Sequence, residues 1–435
     1  MTTAVIIIFV AGYILIAMEN LTHINKSAVA LLMAVLCWTV ICMGNGATPE
    51  HLASLTHALG ETGEILFFLM GAMVIVEVVD NNGGFDFVRE RLASGSKVGL
   101  LWKLTLTTFS LSALLDNMTT AIVMAMVLNK LVKDQKDKML YSSMVILAAN
   151  SGGAFSPIGD VTTIMLWIKG NISTFGVIKG LFIPSLVSVI IPAAIMSFML
   201  KGRVETISDT GTYEDRPCVC IGRGERYAVF AVGIGGLLFV PVFRFITGLP
   251  PFMGIILILG VLWILTEFIF KQKKYQDISS KDLPDVSALL HKIDLSTILF
   301  FLGILTAVSA LSEIGILKEA GNFLDRTFDG NPYYVTSVIG VLSSVVDNVP
   351  LVASCMGMYD IAPDGIYAID GTFWMLLAYC AGIGGSLLII GSAAGVVIMG
   401  LQKISFIWYL KHFTWVVAIG YFCGLLSYLL VELLA

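Results

Sequence analysis

Long apolar runs are the feature that most constrains the fold of this 435-residue chain. Crossing roughly 30 Å of hydrocarbon takes about 20 helical residues, and runs of that order recur along the whole sequence. Hydrophobic residues make up 57% of the chain and charged residues only 13%, whereas a soluble protein has about 25% charged residues. The sequence therefore predicts an all-α polytopic membrane protein. Ten crossings are predicted, at residues 4–18, 27–43, 62–80, 139–168, 180–200, 227–246, 251–270, 294–312, 372–402 and 413–434.

Charge and cysteine content exclude several other classes of protein. The 26 basic and 31 acidic residues give a formal net charge of -5, so no basic face for a nucleic acid is expected. The seven cysteines are scattered and form no CxxC pair, which indicates neither a zinc site nor a disulfide framework. We therefore expect membrane lipid around the helices, no nucleic-acid partner and no bound cofactor.

Two apolar stretches, 104–129 and 333–358, do not fit the pattern of a simple crossing. Each is divided in its middle by an Asp-Asn pair, at 116–117 and at 347–348. Each half is too short to cross alone, and irregular backbone at membrane depth is tolerated only where protein or a water-filled cavity surrounds it. The sequence therefore predicts two re-entrant hairpins with the Asp-Asn pairs at their tips.

The distribution of basic residues tests this prediction, because a hairpin returns to the side that it left. Four Lys or Arg residues lie just before the first stretch and four Lys lie just after it, so both flanks are predicted to be cytoplasmic. The second stretch has only Lys318 and Arg326 before it and no basic residue closely after it, so its flanks are predicted to be external. Two hairpins and ten crossings place 21 of the 26 basic residues inside, with both termini outside.

The two halves of the sequence resemble each other at a nearly constant offset. The segment ILFFL occurs at 65–69 and again at 298–302, an offset of 233, while the Asp-Asn pairs and a Gly-rich pattern recur at 231 and 232. Five crossings per half force opposite orientations, so we expect an inverted repeat of two five-span halves, each with a re-entrant hairpin and an interrupted helix. Secondary transporters use this arrangement, although a duplication without transport would give the same pattern. The predicted units are a repeat at 1–201, a cytoplasmic linker at 202–226 and an inverted repeat at 227–435.

One predicted crossing of each half contains residues that interrupt helices. Segment 150–160 holds three glycines, Pro157 and Asp160, and segment 382–392 keeps the glycines but has Ser392 where the first has Asp160. A break frees backbone carbonyls and a half-helix N-terminus, which bind small ions at membrane depth. The alternative is a kinked helix whose small residues allow close packing.

Asp116, Asp160 and Asp347 are the carboxylates that the sequence places deep in the membrane. An ionised group there is costly unless it is paired or used, and no Lys or Arg is expected at the same depth. Low polarity disfavours the charged form, so a proton and a small cation compete to neutralise the same group. This competition is the basis of a proton/cation exchanger. The structural alternatives are turn residues at the two tips and a helix N-cap at Asp160.

Neutral oxygen ligands, which hard cations prefer, accompany these carboxylates in the sequence. Any one of them could instead form a hydrogen bond between helices. The candidates for the cation and proton site are Asn117, Asn150, Thr162, Thr163, Asn348, Ser386 and Ser392 together with the three aspartates, and Thr119, Ser151 and Ser156 lie nearby in the sequence.

Four segments carry a resemblance to a known family: SALLDNMTTAIV at 112–123, NSGGAFSPIGDVTT at 150–163, SSVVDNVPLVA at 343–353 and GIGGSLLIIGS at 382–392. Together they resemble the NhaD-type sodium/proton antiporters of the ion transporter superfamily. The resemblance implies two hairpins, two unwound helices, a homodimer and a bacterial cytoplasmic (inner) membrane. It also implies that both tip pairs, Asn150, Asp160, Thr162 and Thr163 form the ion and proton sites, with Asp116 and Asp347 as ligands of Na⁺.

The expected function is export of Na⁺, or Li⁺, in exchange for H⁺, with no enzymatic activity. The alternative within the superfamily is a sodium-coupled anion (dicarboxylate) or arsenite carrier, but dicarboxylate members carry neutral tip residues where this chain has Asp. An intramembrane aspartyl protease would also need two buried aspartates. It requires a GxGD signature, and residues 157–160 lack the first glycine of that signature.

Overall fold

The structure is a computed structural model that describes residues 2–18, 22, 24–45, 48–84, 92, 96–200, 202, 222–274, 289–290, 293–345 and 347–434. The described residues form eighteen α-helices. They are α1 (Thr2–Ala17), α2 (Lys26–Asn45), α3 (Pro49–Asn81), α4 (Lys97–Ser112), α5 (Asn117–Leu131), α6 (Gln135–Ala154), α7 (Val161–Lys169), α8 (Thr174–Met199), α9 (Arg223–Thr247), α10 (Pro251–Lys274), α11 (Leu295–Glu313), α12 (Ile316–Thr327), α13 (Pro332–Ser343), α14 (Asn348–Met358), α15 (Thr372–Gly384), α16 (Ala393–Gln402), α17 (Phe406–His412) and α18 (Thr414–Leu434).

Seven of the described helices are long and apolar enough to cross a membrane, by length and composition: α2, α3, α8, α9, α10, α11 and α18. Counting α16 and α17, which are bent by 109°, as one span gives eight. Three of the ten predicted crossings are therefore not single long helices. The first is α1, which has only 16 residues, and the other two, 139–168 and 372–402, are interrupted near their middles.

The interruptions lie at the segments rich in glycine. Helix α6 ends at Ala154 and α7 begins at Val161, while α15 ends at Gly384 and α16 begins at Ala393. The two stretches with an Asp-Asn pair are also divided, α4 from α5 and α13 from α14, with the Asp just before the second helix of each pair. Glycine and proline are poor helix formers, which explains the first two breaks. At the Asp-Asn pairs, the aspartate satisfies the N-terminus of the helix that follows.

Helix α3 is longer than the sequence predicted. It starts after Thr48, whose side chain accepts a hydrogen bond from the backbone N–H of His51, and it runs without a break to Asn81, a length of 33 residues. The predicted crossing 62–80 lies within this helix, which extends further at its N-terminal end. Hydropathy identifies the part of a helix that lipid or protein can bury, whereas helix continuity depends on the local backbone.

The centre of the molecule is formed by α6 and α15, which pack against each other. Every residue from Tyr141 to Ala154 and from Phe373 to Gly384 is buried. Their glycines allow close contact with the preceding helices, because a Cβ on Gly152 would lie 2.2 Å from the carbonyl oxygen of Phe109 and one on Gly384 would lie 2.2 Å from that of Gly340. Glycine is therefore the only residue that fits these two positions without movement of the backbone.

Equivalent contacts recur in the two halves. Ser112 Oγ donates to the carbonyl of Ala149 at 2.6 Å, and Ser343 Oγ donates to the carbonyl of Ala381 at 2.8 Å. Helices of one half also pack on helices of the other, α2 on α11 and α10 on α3, as well as α5 on α16 and α14 on α7. The last two contacts place both Asp-Asn pairs beside both broken helices.

Several sequence predictions fall outside the described residues. Most of the predicted linker 202–226 and of the loop 271–293 lies there, as do Arg89 and Arg91 before the first stretch. The sidedness derived from basic residues therefore stays a prediction for those segments.

Candidate cation and proton site

Four helix N-termini carry the polar side chains of the candidate site. Asp116 caps α5, Asp160 caps α7, Asp347 caps α14 and Ser392 caps α16, each accepting a hydrogen bond from a backbone N–H in the first turn of its helix. The donor-acceptor distances are 2.8, 3.2, 3.4 and 3.1 Å, respectively. N-capping is thus a local role of all four residues, and it leaves further oxygen lone pairs for other partners.

Asp160 is the point at which the two halves meet. Its side chain is 1% exposed, and its Oδ2 accepts hydrogen bonds from Asn117 Nδ2 at 3.2 Å and from Asn348 Nδ2 at 3.4 Å. The two asparagines follow the two tip aspartates directly, so each tip contributes an amide to the same buried carboxylate. An isolated charge at such a position is strongly disfavoured unless it is paired or hydrogen-bonded, and here both tips supply hydrogen bonds to it.

Asn150 connects this carboxylate to the second broken helix. Its Oδ1 accepts from Asn117 Nδ2 at 3.0 Å, and its Nδ2 donates to Ser386 Oγ at 2.8 Å and to Ser392 Oγ at 3.0 Å. Asn150 and Ser386 are fully buried, and Ser392 is 2% exposed. With Asn348, five of the predicted neutral ligands therefore form one continuous network with Asp160, since Asn117 bonds both to Asp160 and to Asn150.

The two threonines after Asp160 differ in their hydrogen bonding. Thr163 Oγ1 donates to the carbonyl of Asp160 at 2.9 Å. Thr162 Oγ1 is buried without a hydrogen-bond partner among the described residues. The Thr162 side chain nevertheless interacts with the Asp160 carboxylate, so both threonines belong to the surroundings of the buried carboxylate.

Asp116 lies beside the network without joining it through a hydrogen bond. Its carboxylate accepts from the backbone N–H and the hydroxyl of Thr119, and it borders a cavity of about 50 Å³ that Asn117 and Phe68 also line. A cavity of this size can hold at least one water molecule or a small ion. Asp116 is therefore placed next to space that a cation could occupy.

Asp347 has a basic partner, which corrects one expectation. Lys26 Nζ lies 3.2 Å from Asp347 Oδ2 in a partly buried ion pair, although the sequence predicted no Lys or Arg at matching depth. The residues are 321 positions apart, and Lys26 stands at the start of α2, where a basic residue ordinarily marks a cytoplasmic flank. The signal was present as a single Lys beside a long apolar run, but its partner cannot be found without the fold.

Two of the neighbouring hydroxyls bind elsewhere. Ser151 Oγ accepts from Ser188 Oγ at 3.0 Å, and Ser156 Oγ donates to the carbonyl of Ala113. These contacts join helices, which was the structural alternative for single hydroxyls. The network around Asp160 therefore consists of Asn117, Asn150, Asn348, Ser386 and Ser392, with Thr162 and Thr163 beside it.

A second cavity, of about 390 Å³, lies between α3, α7, α11 and α14. Glu61 and Lys169, which form an ion pair across its wall, and Asp360 are its charged lining residues among those that the structure describes. This cavity lies at the end of α7 opposite to Asp160.

The chain is similar to known membrane transporters over most of its length. A protein family described as citrate transporters (CitMHS) matches residues 13–370. Two proteins of Arabidopsis thaliana, named sodium/proton antiporter 1 and sodium/proton antiporter 2, are 45% and 43% identical to the chain; the matches cover 99% and 98% of this chain and 72% and 99% of the relatives. The Na⁺/H⁺ antiporter NhaD of Alkalimonas amylolytica is 32% identical over 98% of this chain and 89% of its own length. The similarity therefore extends over both halves.

Proposed function

The chain belongs to the family of NhaD-type sodium/proton antiporters, within the wider citrate transporter family, and from that membership we propose that it exports Na⁺ (or Li⁺) in exchange for H⁺. The observation that carries this proposal is the buried carboxylate of Asp160, on which amides from both Asp-Asn pairs converge. A carboxylate in such surroundings is stable when it holds a proton or a cation, but not when it holds neither. Exchange of the two is antiport.

The amides around Asp160 explain how neutral groups serve both states of the site. In the structure, Asn117 and Asn348 present their N–H groups to the carboxylate. Each asparagine also has a carbonyl oxygen on the same side chain, and rotation of the amide would turn a hydrogen-bond donor into a ligand for Na⁺. Thr162 Oγ1, whose side chain interacts with the Asp160 carboxylate, is a further oxygen ligand in this proposal.

The proposed cycle uses the three aspartates together. The ionised carboxylates bind the cation while the site faces the cytoplasm, the helices that carry the site move, and protonation from outside releases the cation. Asp116 and Asp347 lie within electrostatic range of Asp160, so a positive charge at any one of them is felt by the other two. The inward proton gradient then drives sodium export.

The membrane arrangement is part of the same proposal. We propose two inverted repeats, 1–201 and 227–435, with re-entrant hairpins formed by α4–α5 and α13–α14 and a cytoplasmic linker at 202–226. The paired serine hydrogen bonds and the reciprocal contacts between halves support the repeat. The homodimer is supported by the family resemblance, and the bacterial cytoplasmic (inner) membrane by bacterial relatives, although relatives also come from a plant. Cross-linking in native membranes tests the dimer.

The wider family name makes citrate the competing substrate. A citrate trianion needs basic groups or helix N-termini free of carboxylates, whereas three of the four N-termini here carry an aspartate. The site therefore favours a cation. Everted membrane vesicles with the protein in their membrane and an acidified interior discriminate the antiporter from a citrate carrier. With the antiporter, the fluorescence of a pH-sensitive dye should be dequenched on adding Na⁺ without any organic anion. Dequenching that requires citrate, or none with Na⁺, would reject the proposal.

The tip aspartates give the first testable prediction. Asp116→Asn and Asp347→Asn should each lower Na⁺-dependent proton flux at least tenfold, which corresponds to about 1.4 kcal/mol or more. Asparagine is as good an N-cap as aspartate, so these variants remove charge while the helices keep their caps. Initial rates in everted vesicles, at matched protein levels, provide the measurement.

Asp134→Asn is the matched control for both variants. Asp134 also caps a helix, α6, by accepting from the N–H of Asp137 at 2.9 Å, but it lies on an exposed connection outside the network. Its flux should equal that of the wild-type protein. Full activity of either tip variant would remove that aspartate from the site.

A further inference from the structure

The ion pair between Lys26 and Asp347 is a contact that the proposed cycle does not use. Lys26 Nζ lies 3.2 Å from Asp347 Oδ2 and 4.4 Å from the ring centroid of Phe300, and the two charged side chains are 25% and 14% exposed. The backbone beside Lys26 is fixed, because Ser27 Oγ donates to the carbonyl of Ser296 at 2.7 Å. The start of α2, from which the long Lys26 side chain extends, is therefore held against α11.

This pair makes the two tips unequal. Asp116 accepts hydrogen bonds from the backbone N–H and the hydroxyl of Thr119, whereas Asp347 has an ammonium group against it. Helix α10, which packs on α3 as α2 packs on α11, has no charged residue from 251 to 266. The two halves therefore share this helix packing but differ in charge at the tips. Asp347 has the Lys26 ammonium as a partner, whereas α10 offers no equivalent basic residue to Asp116.

We propose that Lys26 is a positioning residue that competes with the transported cation for Asp347. This inference rests on the proposed sodium/proton exchange and adds to it an internal competitor for one carboxylate. In the structure Lys26 is paired with Asp347. A cation that binds between the two tips displaces the Lys26 ammonium from this carboxylate. The competitor sets the affinity of the site for Na⁺ so that the cation is released once the site faces outside.

Geometry favours displacement over joint occupancy. Asp347 lies within electrostatic range of Asp160, and the next residue, Asn348, donates to Asp160 Oδ2 at 3.4 Å, so the ammonium and a cation bound at Asp160 would lie in the same buried neighbourhood. Two positive charges so close in a medium of low polarity repel each other strongly. The face of Phe300 offers the displaced ammonium a second resting place through a cation–π contact.

The other titratable groups near the pair are acidic or neutral. Tyr13 on α1 and Cys355 on α14 lie within electrostatic range of one another, and Tyr13 and Asp160 lie within that range of Asp347. None of these three groups is basic. Lys26, on α2, is therefore the positive group described next to Asp347.

Lys26→Gln provides the test, with Na⁺-dependent proton flux measured at one alkaline pH. The KM for Na⁺ should fall about fivefold, because Asp347 no longer has to lose a competitor, and the maximal rate should not rise. Lys26→Arg should keep the wild-type KM. Lys318→Gln, which removes an exposed ion pair with Asp360 at 3.1 Å, is the matched control and should leave both parameters unchanged. An unchanged or higher KM in Lys26→Gln would overturn the proposal.

A second variant keeps the test independent of the folding of Lys26→Gln. Phe300→Leu retains Lys26 but removes the aromatic face, so the KM for Na⁺ should rise about twofold. An unchanged KM would contradict the role given to Phe300 and to displacement.

Thermal stabilisation of the purified wild-type protein and of each variant by NaCl, compared with choline chloride, measures cation binding without transport. Absence of Na⁺-dependent flux in the wild-type protein would reject the proposed function itself, which distinguishes that failure from failure of the Lys26 inference.

Discussion

Replacing Asp160 by asparagine is expected to reduce Na⁺-dependent proton flux to below about 1% of the wild-type rate, since a buried charge that carries the exchange has no substitute. Asparagine can still cap α7, so the helix should persist. The amides of Asn117 and Asn348 would face a neutral group in place of a carboxylate. Dequenching rates in everted vesicles and Na⁺-dependent thermal stabilisation of the purified protein should both be lost.

The matched control is Asp294→Asn, because Asp294 caps α11 by accepting from the N–H of Thr297 at 3.2 Å and is exposed. Its flux should match that of the wild-type protein. Measurable sodium exchange in Asp160→Asn, at normal expression and with intact thermal behaviour, would show that another group carries the charge.

Alanine at Gly152 or Gly384 is expected to cause the largest loss of folded protein. A Cβ at either position would lie 2.2 Å from a backbone carbonyl oxygen of the neighbouring helix, and a backbone cannot yield as the end of a flexible side chain can. Overpacking a fully buried helix contact of this kind costs about 3 kcal/mol or more. The yield of monodisperse protein after extraction, and its thermal midpoint, should fall sharply in both variants.

Gly260→Ala and Gly400→Ala are the matched controls. Both glycines lie within helices, and a Cβ at either one meets no atom within 4 Å. Alanine there should stabilise the protein by up to about 1 kcal/mol through helix propensity. Equal loss in these controls would trace the effect to alanine itself, and normal yields for Gly152→Ala would contradict the close packing of α4 on α6.

Apolar runs and their interruptions allow much of the fold to be predicted. Residues 155–160 and 385–392 separate helices where glycines cluster, because glycine weakens helices wherever it occurs. The N-terminal end of α3 could not be predicted from hydropathy. Its polar, solvent-facing turns and its buried turns differ in hydropathy, although both have the same helical backbone. Helix α12 was missed for a related reason: its 12 residues are mixed in polarity and form no apolar run.

The structure brings together side chains that the sequence could name only separately. Asn117, Asn150 and Asn348 were candidates because each stands beside a carboxylate or a glycine-rich break, and the structure brings all three together at Asp160. Which of two adjacent side chains turns inward depends on the helix start, and the contact with Lys26 spans 321 residues, so neither could be read from local sequence.

Helix α7 has a mechanical consequence. It runs from Val161, directly after its N-cap Asp160, to Lys169, a length of about 13 Å. Lys169 pairs with Glu61 on α3 at the edge of the larger cavity. If Asp160 shifts along the helix axis during the proposed exchange, this ion pair has to rearrange with it, so its geometry would report the position of the buried carboxylate.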